Sequence, residues 1–141
     1  MSSPALPFRT AQEAALRAST ALAQAMGGTV RIYFEVPTNS PLPYVVLGQD
    51  EIDDLSDGCG EAHSIISTVQ WWTKIVGTVK GAQAARQMGA AIIAALNTEL
   101  TIAGHDTVLA IMETPERYST DPDQSTRGLT AFRYETTAQD I

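Results

Sequence analysis

The stretch His63-Ser-Ile-Ile-Ser-Thr-Val-Gln-Trp-Trp-Thr73 decides the fold of this chain. It is rich in β-branched and aromatic residues, which suit a pleated surface. Side chains alternate across a strand. His63, Ile65, Ser67, Val69, Trp71 and Thr73 therefore share one face, and Ser64, Ile66, Thr68, Gln70 and Trp72 share the other. The two tryptophans must point to opposite sides of a sheet. A layer of helices covers one side only, so one tryptophan belongs to a core and the other needs a second cover. The Trp71 set is the more apolar. Trp71 is assigned to the core and Trp72 to an outward contact surface, with a covering loop over 37–43 as the plainer alternative for Trp72.

Upstream, Ser40-Pro-Leu-Pro-Tyr-Val-Val-Leu-Gly-Gln-Asp50 reads as a stiff, extended entry into a strand over 44–47 that Gly48 closes. A further strand is expected over 30–36. Before it, Thr10-Ala-Gln-Glu13 has the capping-box pattern, and apolar residues at helical spacing follow as far as Gly27-Gly28. This predicts one helix over 10–26. Downstream, 77–97 reads as a second helix whose stripe is Ala82, Ala85, Met88, Gly89, Ile92, Ile93 and Leu96. A hairpin about Gly104-His105 joins 100–102 to 107–112. A turn at 121–124 leads to a last strand over 127–136. Residues 1–9 and the tail from Ala138 are expected to fray. The order implies a single domain over 1–141 of α+β class: one antiparallel or mixed β-sheet with two helices packed on one face.

The chain has 141 residues, enough for a core without disulfide or metal staples. Its one cysteine, Cys59, allows no intrachain disulfide. The N-terminus lacks the basic and apolar regions of a signal peptide, and no apolar run is long enough to span a membrane. The expectation is assembly in cytosol without membrane contact. The net charge of −7 is concentrated. Between positions 49 and 61 lie Asp50, Glu51, Asp53, Asp54, Asp57 and Glu61 with no base, leaving ten acids against nine bases elsewhere. Such a chain lacks the clustered Lys and Arg that grip DNA phosphates. The segment over 49–61 reads as a mobile solvated loop, or as a surface that meets a partner.

No chemistry is signalled. His63, His105, Cys59 and the acids show neither metal-ligand spacing nor a nucleophile motif. Acids beside Cys59 disfavour a thiolate. His105 reads as a turn residue and His63 as a hydrogen-bonded strand residue. No catalytic, cofactor-binding or metal residues are expected, and no cofactor.

Two blocks then carry a resemblance: Pro41-Leu-Pro-Tyr-Val-Val-Leu-Gly48, and Asp121-Pro-Asp-Gln-Ser-Thr-Arg-Gly128 ahead of an aromatic strand. With the helix before Val30-Arg-Ile-Tyr33, the strand ending on Trp72 and the helix after it, their order resembles the tail-completion, or tail-terminator, family of long-tailed phages and gene transfer agents. The resemblance covers about residues 12–136. In the second block Gly128 follows Arg127 directly, a small departure, and Trp72 rather than Trp71 matches the family's tryptophan. The resemblance implies a non-enzymatic structural protein, similar in fold to lambdoid tail terminators and carried in the virion or gene transfer agent particle. It implies a homo-oligomeric, hexameric ring that caps the tail tube and ends its polymerisation. Its partners would be the tail tube protein and the head-side connector or stopper, with DNA passing through without specific binding. Candidate assembly contacts are Trp72, Asp50, Glu51, Asp53, Asp54 and Asp57. Two other readings stay open: a dimeric α+β small-ligand-binding domain or enzyme with a pocket near His63 and Trp71, and an adaptor that binds a basic protein through 50–61.

Overall fold

The computed structural model describes residues 3–56, 60–74, 78–123 and 125–139. Among them the order is α1 (Ala5–Arg17), α2 (Thr20–Ala25), β1 (Ile32–Tyr33), β2 (Tyr44–Asp54), β3 (Ala62–Thr73), α3 (Gly81–Leu96), β4 (His105–Thr120) and β5 (Thr126–Ala138). The strands form one sheet in the order β1-β2-β3-β5-β4. β1 runs parallel to β2 and every other pair is antiparallel, so the sheet is mixed and the class is α+β. None of the helices is long and apolar enough to cross a membrane.

The alternation of β3 is realised along its whole length. His63, Ile65, Ser67, Val69, Trp71 and Thr73 are buried, and the intervening residues are half-buried. Helices cover the Trp71 face. Phe8 of α1 lies against Tyr134 of β5, with ring centroids 5.2 Å apart, and Gln12 Nε2 donates to Ser67 Oγ at 2.8 Å. The Trp71 indole Nε1 donates to the Ala85 carbonyl of α3 at 2.9 Å. The Tyr134 hydroxyl donates to the Leu96 carbonyl at the end of that helix. α1 and α3 are thus each tied to the sheet by a buried polar bond inside an apolar contact, which satisfies groups that would otherwise be costly to bury.

α3 sits close to the sheet because its inner stripe is small. A Cβ on Gly89 would run into the Tyr118 hydroxyl and lie 2.9 Å from Trp71 Cζ2, so these two aromatic side chains occupy the space a side chain would need. The stripe differs from the expected one at two kinds of position. Ala82 faces solvent, whereas Ala84 and Ala91 are buried.

Other differences have local causes. The first helix begins at Ala5, not Thr10, and Phe8, in a stretch expected to fray, is fully buried. Thr10 lies inside α1 and its hydroxyl donates to the Leu6 carbonyl, so the capping box is not used. The expected single helix breaks after Arg17. Ser19 starts α2 by accepting from the Leu22 amide at 3.1 Å, the cap that the sequence pattern had assigned to Thr10. Three helices result, not two. Gly77, the expected start of the following helix, lies outside the described residues. β1 pairs over two residues only. The connector behind it is not uniformly extended: Asn39 has φ 62° and the Leu42–Pro43 peptide is cis. β4 continues through Glu113–Thr120 instead of ending near Met112, and the turn at 121–123 is the hairpin between β4 and β5. The chain is still paired at Ala138, whose amide donates to the Glu61 carbonyl.

The acidic segment also changes character. β2 extends to Asp54, and Asp50 to Asp54 pair with Ser67 to His63. The backbone expected to be a mobile loop is therefore a sheet strand as far as Asp54. Asp57 and Cys59 lie outside the described residues.

Candidate assembly interface

The face opposite the helices carries Tyr44, Val46, Glu51 and Asp53 from β2. β3 adds Ser64, Ile66, Thr68, Gln70 and Trp72. β5 adds Arg127, Leu129, Arg133 and Glu135, and β4 adds Leu109, Ile111 and Arg117. Trp72 is half-buried here as expected. Its ring centroid is 5.6 Å from that of Tyr44, which is 5.8 Å from Tyr33. Trp71 is fully buried on the other side, packed against Gly128, Gly89 and the Tyr118 ring. In the small-ligand reading left open above a pocket would lie near His63 and Trp71; both side chains are buried, with His63 6% exposed.

The acids do not form one patch. Gln49 adopts φ 57° after Gly48 at φ 132°, and the pairing skips from Gly48↔Thr68 to Asp50↔Ser67. This bulge adds one residue to β2 and resets its alternation. Asp50 consequently lies on the helix-covered face, opposite Ser67, and Glu51 and Asp53 lie on the open face. Asp50 borders a cleft of about 460 Å³ lined also by Arg9, Ile32, Tyr33, Phe34, Glu35 and Gly48. The Arg9 guanidinium sits 3.3 Å from the centroid of the Phe34 ring. Burial raises the Asp50 carboxyl above the usual range, opposed by a hydrogen bond from Ser67 and the charge of Arg9. Asp54, at the end of β2, is held below the usual range by hydrogen bonds from the Ser56 hydroxyl and amide.

The sign for Asp50 follows from its raised pKa. Above its folded-state value the buried carboxylate carries a desolvation cost, and that cost is relieved as pH falls toward the unfolded value. Asp50→Asn keeps a polar partner for Ser67 without the charge. The variant is expected to melt at or above wild type at pH 7, with the difference shrinking by pH 4. Paired thermal melts at the two pH values measure this, and a difference that grows on acidification would contradict the assignment.

The two histidines meet at the acidic end of the covered face. Their rings lie edge-on with centroids 6.4 Å apart, and both are buried. His105 is therefore a buried strand residue and not a turn residue. His63 Nδ1, His105 Nδ1 and Thr136 Oγ1 have no hydrogen-bond partner among the described residues. Among those residues no three His, Cys, Asp or Glu side chains gather as metal ligands would.

A family model described as tail completion protein gp17 matches residues 13–136. No curated protein matches. Among solved structures, a chain from one described as the virion of a native gene transfer agent particle has a TM-score of 0.78 and 24% sequence identity. The match covers 98% of this chain and 100% of that one. That likeness bears on the fold. The family match runs from the middle of α1 almost to the end of β5, and on that span the chain belongs to the tail completion protein gp17 family.

Proposed function

We propose that this chain is a non-enzymatic subunit of a hexameric ring that caps the tail tube, ends its polymerisation and presents a surface to the head-side connector. One observation carries the reading. In a chain of a tail completion family, a five-stranded sheet has helices on one face and leaves Trp72, Ile66, Val46, Leu129 and Ile111 on the other. An apolar group of this kind, rimmed by charge, marks a protein contact. The net charge of −7 fits a channel through which DNA slides, because few phosphates are neutralised. The tube protein and the connector are the partners in this reading.

Trp72→Ala tests it. The half-buried indole is an aromatic anchor, and truncating such an anchor at an interface costs about 2 kcal/mol or more of binding. The variant is expected to keep a melting temperature near that of wild type and to lose ring formation and tail capping, scored by negative-stain microscopy. Rings and capped tails in wild-type yield would remove Trp72 from the interface.

A further inference from the structure

The open face is electrically polarised along the strands. At the β2–β3 hairpin end stand Glu51 and Asp53, with Asp106 and the Arg133–Glu135 ion pair on the neighbouring strands. At the opposite end stand Arg127, paired in register with Trp72, and Arg117, paired with Leu129. Glu51, Asp53, Arg117 and Arg127 are all exposed. Among the described residues none of the four enters an ion pair, and the ion pairs on this face are confined to Arg133 with Glu113 and Glu135.

The two ends cannot neutralise each other within a subunit. Glu51 lies opposite Ile66 and Arg127 opposite Trp72, six residues apart along β3. At about 3.4 Å per residue the separation is roughly 20 Å. This exceeds the Debye length of about 8 Å at physiological ionic strength. A second copy brings the ends together. Two copies offset end to end along the strand direction set the acids of one against the arginines of the next, a two-fold antiparallel pair does so at both ends at once, and copies in parallel register set like against like.

We infer that the open face is a head-to-tail joint between copies of this chain: Glu51 and Asp53 of one subunit seat against Arg117 and Arg127 of the next. The inference rests on the ring reading and specifies its joint. Where the acidic end of each copy meets the basic end of a different neighbour, the joint is heterologous; it closes as a ring if the rotation between neighbours closes and otherwise runs on as a filament. Asp50 takes no part, because the bulge turns it to the helix side.

The test uses three full-length variants: Glu51→Lys with Asp53→Lys, Arg117→Glu with Arg127→Glu, and the chain carrying all four changes. All positions are exposed on strands, and circular dichroism melts check that each variant folds. Assembly is read by native mass spectrometry and by negative stain, free in solution and on purified tails. Wild-type rings are expected to decline as salt is raised. Each two-site variant alone is expected to lose ring yield by about tenfold, because like charges then meet at the joint. The four-site chain is expected to regain rings. An equimolar mixture of the two inert variants is expected to close rings in which they alternate, so only even-numbered rings appear. Rings in wild-type yield from either two-site variant would overturn the inference and leave the ring reading standing. Rings that form but fail to cap tails would assign the charged end to the tube protein and also overturn it. A mixture that stops at one-to-one dimers would show face-to-face pairing and overturn the head-to-tail geometry. Wild type that forms no ring, free or on tails, would instead overturn the ring reading itself.

Discussion

Trp71→Ala is expected to destabilise the folded subunit by about 3–5 kcal/mol, the range for truncating a fully buried aromatic side chain. Three features put it at the upper part of that range. The side chain has no exposed surface. Its indole Nε1 donates to the Ala85 carbonyl, so truncation also removes the polar tie between α3 and β3. The surrounding surfaces cannot easily collapse into the vacancy, because Gly128 and Gly89 have no side chains to move into it. Urea unfolding of wild type and variant gives the difference directly. A loss below about 1 kcal/mol would mean that the indole is not the keystone of the contact between α3 and the sheet, because surface substitutions already reach half that size.

Gly128→Ala approaches the same contact from the other side. A Cβ at residue 128 would lie 2.1 Å from Trp71 Cε2, 2.3 Å from Nε1 and 2.4 Å from Cζ2. Those atoms belong to a rigid ring whose Nε1 is itself bonded to the Ala85 carbonyl of α3, so the ring cannot yield without disturbing the helix. Overpacking a filled core costs about 1–3 kcal/mol and at times more, and a whole methyl group inside an indole belongs at the high end, near 3 kcal/mol. The pair of variants also makes a sharper statement. In Trp71→Ala the space that the Gly128→Ala methyl needs is empty. The double variant is therefore expected to be more stable than the sum of the single losses by about 1 kcal/mol or more. Strict additivity in a double-mutant cycle would show that the methyl and the indole do not compete for one volume.

Those two residues also show what the sequence made legible. The opposition of Trp71 and Trp72 follows from strand geometry, and the more apolar company of Trp71 placed it inside. The helical stripe of α3 was readable for the same reason, since its period is imposed by burial. Segments whose place depends on backbone pairing were not readable. β4 through Glu113–Thr120 carries proline, acids and polar residues, yet it pairs with β5 across three register shifts. An edge strand needs little burial, so its side chains carry little signal. The acids of β2 were hidden in the same way. The face of Asp50 was lost because alternation was counted without the bulge at Gln49. Gly48 within a β-former run was the signal that could have found it, since an isolated glycine in a strand often marks a bulge. The break between α1 and α2 was masked by alanines that keep helical spacing on both sides of Ser19.

β1 covers β2 only at Val45 and Val46, so among the described residues no strand pairs with the outer margin of β2 from Gly48 to Asp54. A naked margin of this length is a template on which any extended chain can crystallise. Here the template is spoiled twice. The bulge interrupts its regular spacing of donors and acceptors, and four carboxylates crowd the part beyond it. A margin spoiled in this way discourages stray extended chains from adding to it. Selectivity at this border is then colloidal, with indiscriminate strand addition suppressed by spacing and charge.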